Sequence, residues 1–211
     1  MRTIKVDLFA DIVCPWCLIG SARLDKAIAE LPDDVTVDVE NHPFYLDPNT
    51  PAEGYDVGEM LRERYGRDPK AIWARAEEEA RKSGIELDLS KQPRTFRTAK
   101  AHTIIRLARA KGTQHALANA IADAYFLEQR AVNEAPVLAG IAAQFGYTRE
   151  EALHDMHNER EIEISHQLAV EAAAQGIQGV PFFIFDNRFA LSGAQPQEVF
   201  ALALEKALEP A

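Results

Sequence analysis

At 211 residues, with 47% apolar and 27% charged side chains, the chain can bury a sizeable core without cross-links, as one domain or as a domain carrying a large insertion. A formal charge of -10, from 23 Lys plus Arg against 33 Asp plus Glu, argues against a nucleic-acid backbone as a partner. No stretch is long enough to span a bilayer, so no membrane partner is expected.

Residues Ile4 to Phe9 alternate and run into Asp11-Ile12-Val13-Cys14-Pro15, which reads as a strand, a short loop and a helix start. Pro15 suits a first helical position, where its missing N–H costs nothing. Leu18, Ile19, Ala22, Leu24 and Ile28 then form an apolar stripe down to Leu31, and Pro32 ends the helix. Val35, Val37 and Val39 alternate with polar residues as a second strand. From Asp47 the character changes: Pro48, Pro51 and Gly54 make a loop, and helices are predicted over 57–65 and 69–82. Strands are predicted to disappear for over a hundred residues.

From Thr95 onward, Ala101, Ile104, Ile105 and Ala108 keep the spacing of a packed helix, which Gly112 closes. A helix from Thr113 and one after Asn133 follow. Thr148 with Glu151, and Asn158 with Glu161, read as capping boxes opening two more. Gly176 caps the last of these. Val180 to Phe185 is an apolar strand, Asp186-Asn187-Arg188 a turn, Phe189-Ala190-Leu191 a returning strand, and a final helix runs from Pro196 to about Leu208. The order is therefore a split α/β unit with a helical block between its halves.

The chain has two cysteines, both in Cys14-Pro15-Trp16-Cys17. No disulfide framework can link distant parts, which suits a reducing compartment, and the expected location is cytoplasmic. No apolar run follows Met1-Arg2 before Asp7, so no signal peptide is legible. A Cys-x-x-Cys at a strand-to-helix junction fits redox chemistry: the thiolate is the nucleophile, and a helix N-terminus favours negative charge. Cys14 is placed to attack, its sulfur accepting hydrogen bonds from first-turn N–H groups. Cys17, three residues on and on the same face, is placed to resolve the mixed disulfide. Pro15 and Trp16 supply no cation to hold a thiolate, so a less oxidising pair than one with histidine is expected. The competing reading is half a zinc site, but tetrahedral zinc wants four ligands. No further cysteine exists, and His154-x-x-His157 reads as a solvated face; no metal is expected.

With Cys14-Pro15-Trp16-Cys17 after a first strand and Gly179-Val180-Pro181-Phe182-Phe183 at a late one, the sequence resembles the DsbA family, in its FrnE-like branch. Ser192-Gly193-Ala194-Gln195, Ala101-His102 and Ala124-Tyr125-Phe126 are further matches, and the likeness covers nearly the whole chain. Leu18, where an aromatic is common, and Arg97, where an asparagine is usual, depart from it. The resemblance implies a thioredoxin-like fold interrupted by a large all-helical insertion. Its α/β domain would comprise residues 1–46 and 177–211, with 47–176 inserted. It also implies a cis Pro181 beside the motif, with the Val180 backbone pairing with substrate. His102 matches the branch without a derivable role, since a histidine on an apolar helix face reads as a hydrogen-bonded core residue.

The function expected is thiol-disulfide exchange with protein or small-molecule substrates, with no bound cofactor beyond the Cys14–Cys17 pair and glutathione as a candidate co-substrate. Two alternatives stand beside it. One is a glutathione-dependent isomerase or transferase of the kappa-class or hydroxychromene carboxylate isomerase type, which usually has serine at the first motif position. The other is a redox-linked chaperone acting through apolar surface on the helical block. The sequence says nothing of oligomeric state.

Overall fold

The computed structural model describes residues 2–210. Strand β1 (Arg2–Ala10), helix α1 (Pro15–Ala29) and strand β2 (Val35–Pro43) open the chain; β5 (Phe182–Phe185), β6 (Phe189–Ser192) and α9 (Gln197–Leu208) close it. Together they build a four-stranded sheet in the order β2-β1-β5-β6. β1 runs parallel to β2, from Arg2 opposite Val35 to Ala10 opposite Pro43. It runs antiparallel to β5, with Val6 opposite Phe185 and Phe9 opposite Phe182. The β5–β6 turn is tight because Asp186 and Asn187 adopt left-handed φ values of 49° and 55°, a conformation that short polar side chains tolerate.

Because β1 is central, both of its faces are covered. Ile4, Val6 and Leu8 join Leu24 and Ala27 of α1, Phe183 and Phe185 of β5, and Phe200 and Leu204 of α9 in one core. The Phe183 and Phe200 rings meet edge to face at 4.8 Å, and each buried ring of this kind contributes about 2–3 kcal/mol. On the opposite face Phe9 packs with Ala172, Ile177, Val180 and Phe182.

Between the halves lie α2 (Val57–Tyr65), α3 (Pro69–Lys82), α4 (Ala99–Leu107), α5 (Gln114–Phe126), α6 (Ala135–Ala142), α7 (Arg149–His157) and α8 (Glu159–Ala174). The reciprocal box of Thr148 and Glu151 opens α7. At α8 only half of the expected box forms: Asn158 accepts from the Arg160 and Glu161 N–H groups, while the Glu161 carboxylate turns to Arg106. The expectation of a strand-free middle is corrected by a small ladder, β3 (Tyr55–Asp56) against β4 (Arg94–Thr95). Two residues per strand leave no hydrophobic period to read. The same pairing holds Thr95 extended, so α4 begins only after Thr98.

The helical core takes in Ile104, Leu117, Ile121 and Leu138, and also Ile12, Leu18 and Ile19 from the first α/β segment. Helix α1 thus belongs to two cores. Arg23, 6% exposed, fastens this junction. Its guanidinium donates to Ser83 Oγ at 2.8 Å, Glu79 Oε2 at 2.6 Å and the Ala194 carbonyl at 2.8 Å, tying α1 to α3 and to the loop before α9. The Arg23 and Lys82 charges pull the Glu79 carboxyl down to about 2. Arg23→Ala strands those acceptors, and its expected cost is about 3–5 kcal/mol, the range for breaking a buried pair. Urea unfolding monitored by circular dichroism measures it; a loss below 1 kcal/mol would show that α1 does not depend on the clamp.

Candidate active site

The motif sits where β1 ends and α1 begins. Cys14 is the N-cap with extended dihedrals, and Pro15 occupies the first turn. Both cysteines are thiols, Cys14 3% and Cys17 5% exposed. The expected side-chain cap at Cys14 is not formed. Pro15 has no N–H to give, and the Cys17 and Leu18 N–H groups are taken by the Cys14 carbonyl at 3.0 and 3.3 Å. The sulfur instead points across to the Val180 carbonyl, 3.8 Å away, as a donor. Burial pushes the Cys17 thiol well above its ordinary range, and its hydrogen bond to Cys14 adds to the rise.

The Val180–Pro181 peptide is cis, which brings that loop against α1. An added Cβ at Gly20 would lie 2.9 Å from Pro181 Cγ and 3.2 Å from the Phe183 ring, so the approach requires glycine. The Val180 N–H makes no hydrogen bond among the described residues, leaving a main-chain donor open beside Cys14. The structure therefore brings Cys14, Cys17, Pro15, Val180 and Pro181 together. Trp16 turns toward the helical block, where the Arg75 guanidinium of α3 lies over its ring at 5.6 Å. The motif's own sequence supplies no cation, but the insertion brings one to its edge.

His102 on α4 is buried and bonds Asp11 Oδ1 at 3.1 Å. Asp11 Oδ2 accepts from the Leu46 N–H at 2.9 Å. Sequence reading missed Asp11, a carboxylate among apolar residues that periodicity treats as part of a loop. The Asp11 backbone and charge both act on the Cys17 thiol, in opposite directions. Cys17, Asp11, His102, Ser21 and Asn119 line a cavity of about 30 Å³, large and polar enough for a water molecule. Leu18, a departure from the family pattern, is buried in the helical core. Arg97, the other, donates to the Thr50 carbonyl at 3.2 Å.

On the Cys14 side a recess of about 320 Å³ opens between the motif and the helical block. Trp16, Tyr55, Trp73, Phe96, Tyr125 and Phe126 are among its walls. These rings come from segments far apart in sequence, and no local pattern announces them. The Asp7, Glu40 and His42 side chains converge elsewhere, but Lys5 already pairs with both carboxylates there. No helix among the described residues is long and apolar enough to cross a membrane.

The sequence profile of the DSBA-like thioredoxin domain matches residues 5–205. The crystal structure of the probable DsbA oxidoreductase SCO1869 from Streptomyces coelicolor is similar at 31% identity and TM-score 0.86, over 99% of this chain and 92% of that one. The cytosolic disulfide reductase DsbM from Pseudomonas aeruginosa, solved with GSH, shares the fold at 21% identity and TM-score 0.69, over 97% and 98% of the two chains. The uncharacterized protein YwbO of Bacillus subtilis is 23% identical over 204 residues, 96% of each chain.

The pH response of the reduced protein follows from Cys17. Below about pH 8.5 the thiol is neutral both folded and unfolded. Above that, the unfolded thiol ionises while the folded one holds its proton, so stability falls as pH rises toward the folded value. The buried tyrosines Tyr45 and Tyr147, each pushed up to about 12 by burial, act in the same direction at higher pH. Cys17→Ala is expected to flatten the drop in urea midpoint between pH 8.5 and 10; equal slopes would place the cause elsewhere. Gly20→Ala is expected to cost about 1–2 kcal/mol by the same measurement, overpacking against Pro181 outweighing the gain in helix propensity.

Proposed function

The chain belongs to the DSBA-like thioredoxin domain family, whose enzymes act on thiol and disulfide substrates, and we propose that it performs thiol-disulfide exchange through Cys14 and Cys17. The observation that carries this reading is the asymmetry of the two thiols at one helix start. Cys14 lines the recess and Cys17 does not, while Cys17 sits one turn deeper with its proton held by burial. A substrate sulfur therefore meets Cys14 first. When Cys14 ionises, its thiolate lies at the positive end of α1.

In the reducing direction, the Cys14 thiolate attacks one sulfur of the substrate disulfide and the other leaves as a thiolate, giving a mixed disulfide. Cys17 then loses its proton and attacks Cys14 Sγ; the Cys14–Cys17 disulfide forms and the second substrate thiolate departs, two electrons having passed to the substrate. The Asp11–His102 pair borders the cavity into which Cys17 faces and is a positioning element for that proton. The Val180 backbone offers the substrate a hydrogen-bonding edge beside Cys14. Glutathione is proposed as the thiol that returns the pair to its reduced state, a reading supported by the relative solved with GSH. A cytosolic location is proposed with it, since the only two cysteines are both in the motif.

Cys14→Ser is expected to lower disulfide reduction by at least a hundredfold, and Cys17→Ser to accumulate a mixed disulfide with substrate, seen as an added mass that dithiothreitol removes. Wild-type rates in Cys14→Ser would refute the exchange reading.

A further inference from the structure

We propose that the substrate of this site is a small molecule, a thiol or disulfide whose sulfur is attached to an aromatic or extended apolar group bearing an anionic charge. This rests on the exchange reading and narrows it. Cys14 is 3% exposed, and the recess is the one described cavity that it lines. A disulfide in a folded protein carries two flanking main chains and needs an open surface to reach a sulfur. A slender molecule can instead enter the recess end-on and place its sulfur at Cys14.

The walls set the chemistry of such a molecule. A volume of about 320 Å³ suits a small ligand rather than a side chain in passing. Aromatic rings from α1, α3 and α5 face it, and they bind flat apolar groups by offset and edge contacts. The polar groups of the lining are largely committed already. Tyr125 Oη donates to the Arg94 carbonyl, Gln92 to the Tyr125 carbonyl, and Tyr55 Oη to Asp47. Asp11 is held by His102. Arg64 of α2 is the exception: it is the one arginine or lysine of the lining, and it forms no hydrogen bond or ion pair among the described residues. Asp11 and Asp47 also line the recess, but both already accept hydrogen bonds, so the uncommitted guanidinium is the charged group left to pair, and it selects a carboxylate or similar anion.

The test uses the full chain, pre-reduced, in single turnovers followed by acid quenching and thiol alkylation. Symmetrical disulfides of three alkyl thiols keep the leaving groups alike: 4-(2-mercaptoethyl)benzoate, 2-phenylethanethiol and 2-mercaptoethanol. Insulin and glutathione disulfide are run beside them, each rate being divided by that of free N-acetylcysteine. Both aromatic disulfides are expected to exceed hydroxyethyl disulfide by at least tenfold, the benzoate being fastest. Arg64→Gln is expected to bring the benzoate down to the phenylethyl rate. Trp73→Ala is expected to shrink the aromatic preference at least fivefold, with Trp73→Phe restoring most of it.

Both tryptophans of the chain, Trp16 and Trp73, line the recess, so their fluorescence reads its occupancy in the unaltered protein. The S-methyl thioether of the benzoate thiol, which cannot exchange, is expected to quench it saturably. Absence of saturable quenching, or insulin, glutathione disulfide or hydroxyethyl disulfide reacting as fast as the aromatic compounds, overturns the substrate assignment while leaving Cys14-dependent exchange intact. If no disulfide reacts faster than with N-acetylcysteine, the exchange reading itself fails.

Discussion

Helix α1 has to satisfy two cores at once. Its Leu24 and Ala27 are buried against the sheet and α9, while Leu18 and Ile19, a turn and more earlier, are buried among the inserted helices. The boundary between these environments passes close to the motif, which is how a helix start comes to lie between the end of the central strand β1 and a recess. A buried guanidinium at the crossing keeps the arrangement from sliding: Arg23 reaches α1's neighbours on both sides, and its directional fork fixes register in a way apolar contact alone does not.

The same geometry gives two chemically identical thiols different surroundings. Cys14 occupies the cap, where its backbone is still extended and its sulfur reaches the Val180 carbonyl. Cys17 is one turn inside, desolvated and beside the Asp11 charge. Burial favours the neutral form of Cys17, while Cys14 lines the recess; under the proposed exchange one thiol would meet substrate and the other would keep its proton until the mixed disulfide is resolved. The cis peptide loop, seated against Gly20, brings the Val180 main chain beside Cys14.

What could be read along the chain was whatever depends on near neighbours. The starts of α2, α3 and α7 and the end of α8 follow from caps and glycines within a few residues of each other, and α7's box was legible as Thr148 and Glu151. The β3–β4 ladder escaped because it pairs Tyr55 with Thr95 and Asp56 with Arg94, distant segments with two residues on each side. The direction of the Cys14 sulfur escaped as well. It follows the Val180 carbonyl, brought to 3.8 Å from the distant end of the chain, a matter of coordinates rather than of residue type. His102 could be seen as a core histidine, but its partner Asp11, 91 positions away, could not.

The sequence by itself determined the local features: two thiols three residues apart, a proline that starts the helix between them, and the alternation of elements that splits an α/β unit around a helical block. These are local facts, carried by hydrogen-bond valence and hydrophobic period. Only the tertiary structure decided which sulfur lines the recess, what stands behind the other, and which side chains wall that recess. Those properties come from side chains such as Arg64, Trp73 and Tyr125, scattered along the chain and gathered onto one recess as the inserted helices pack together and remove apolar surface from water.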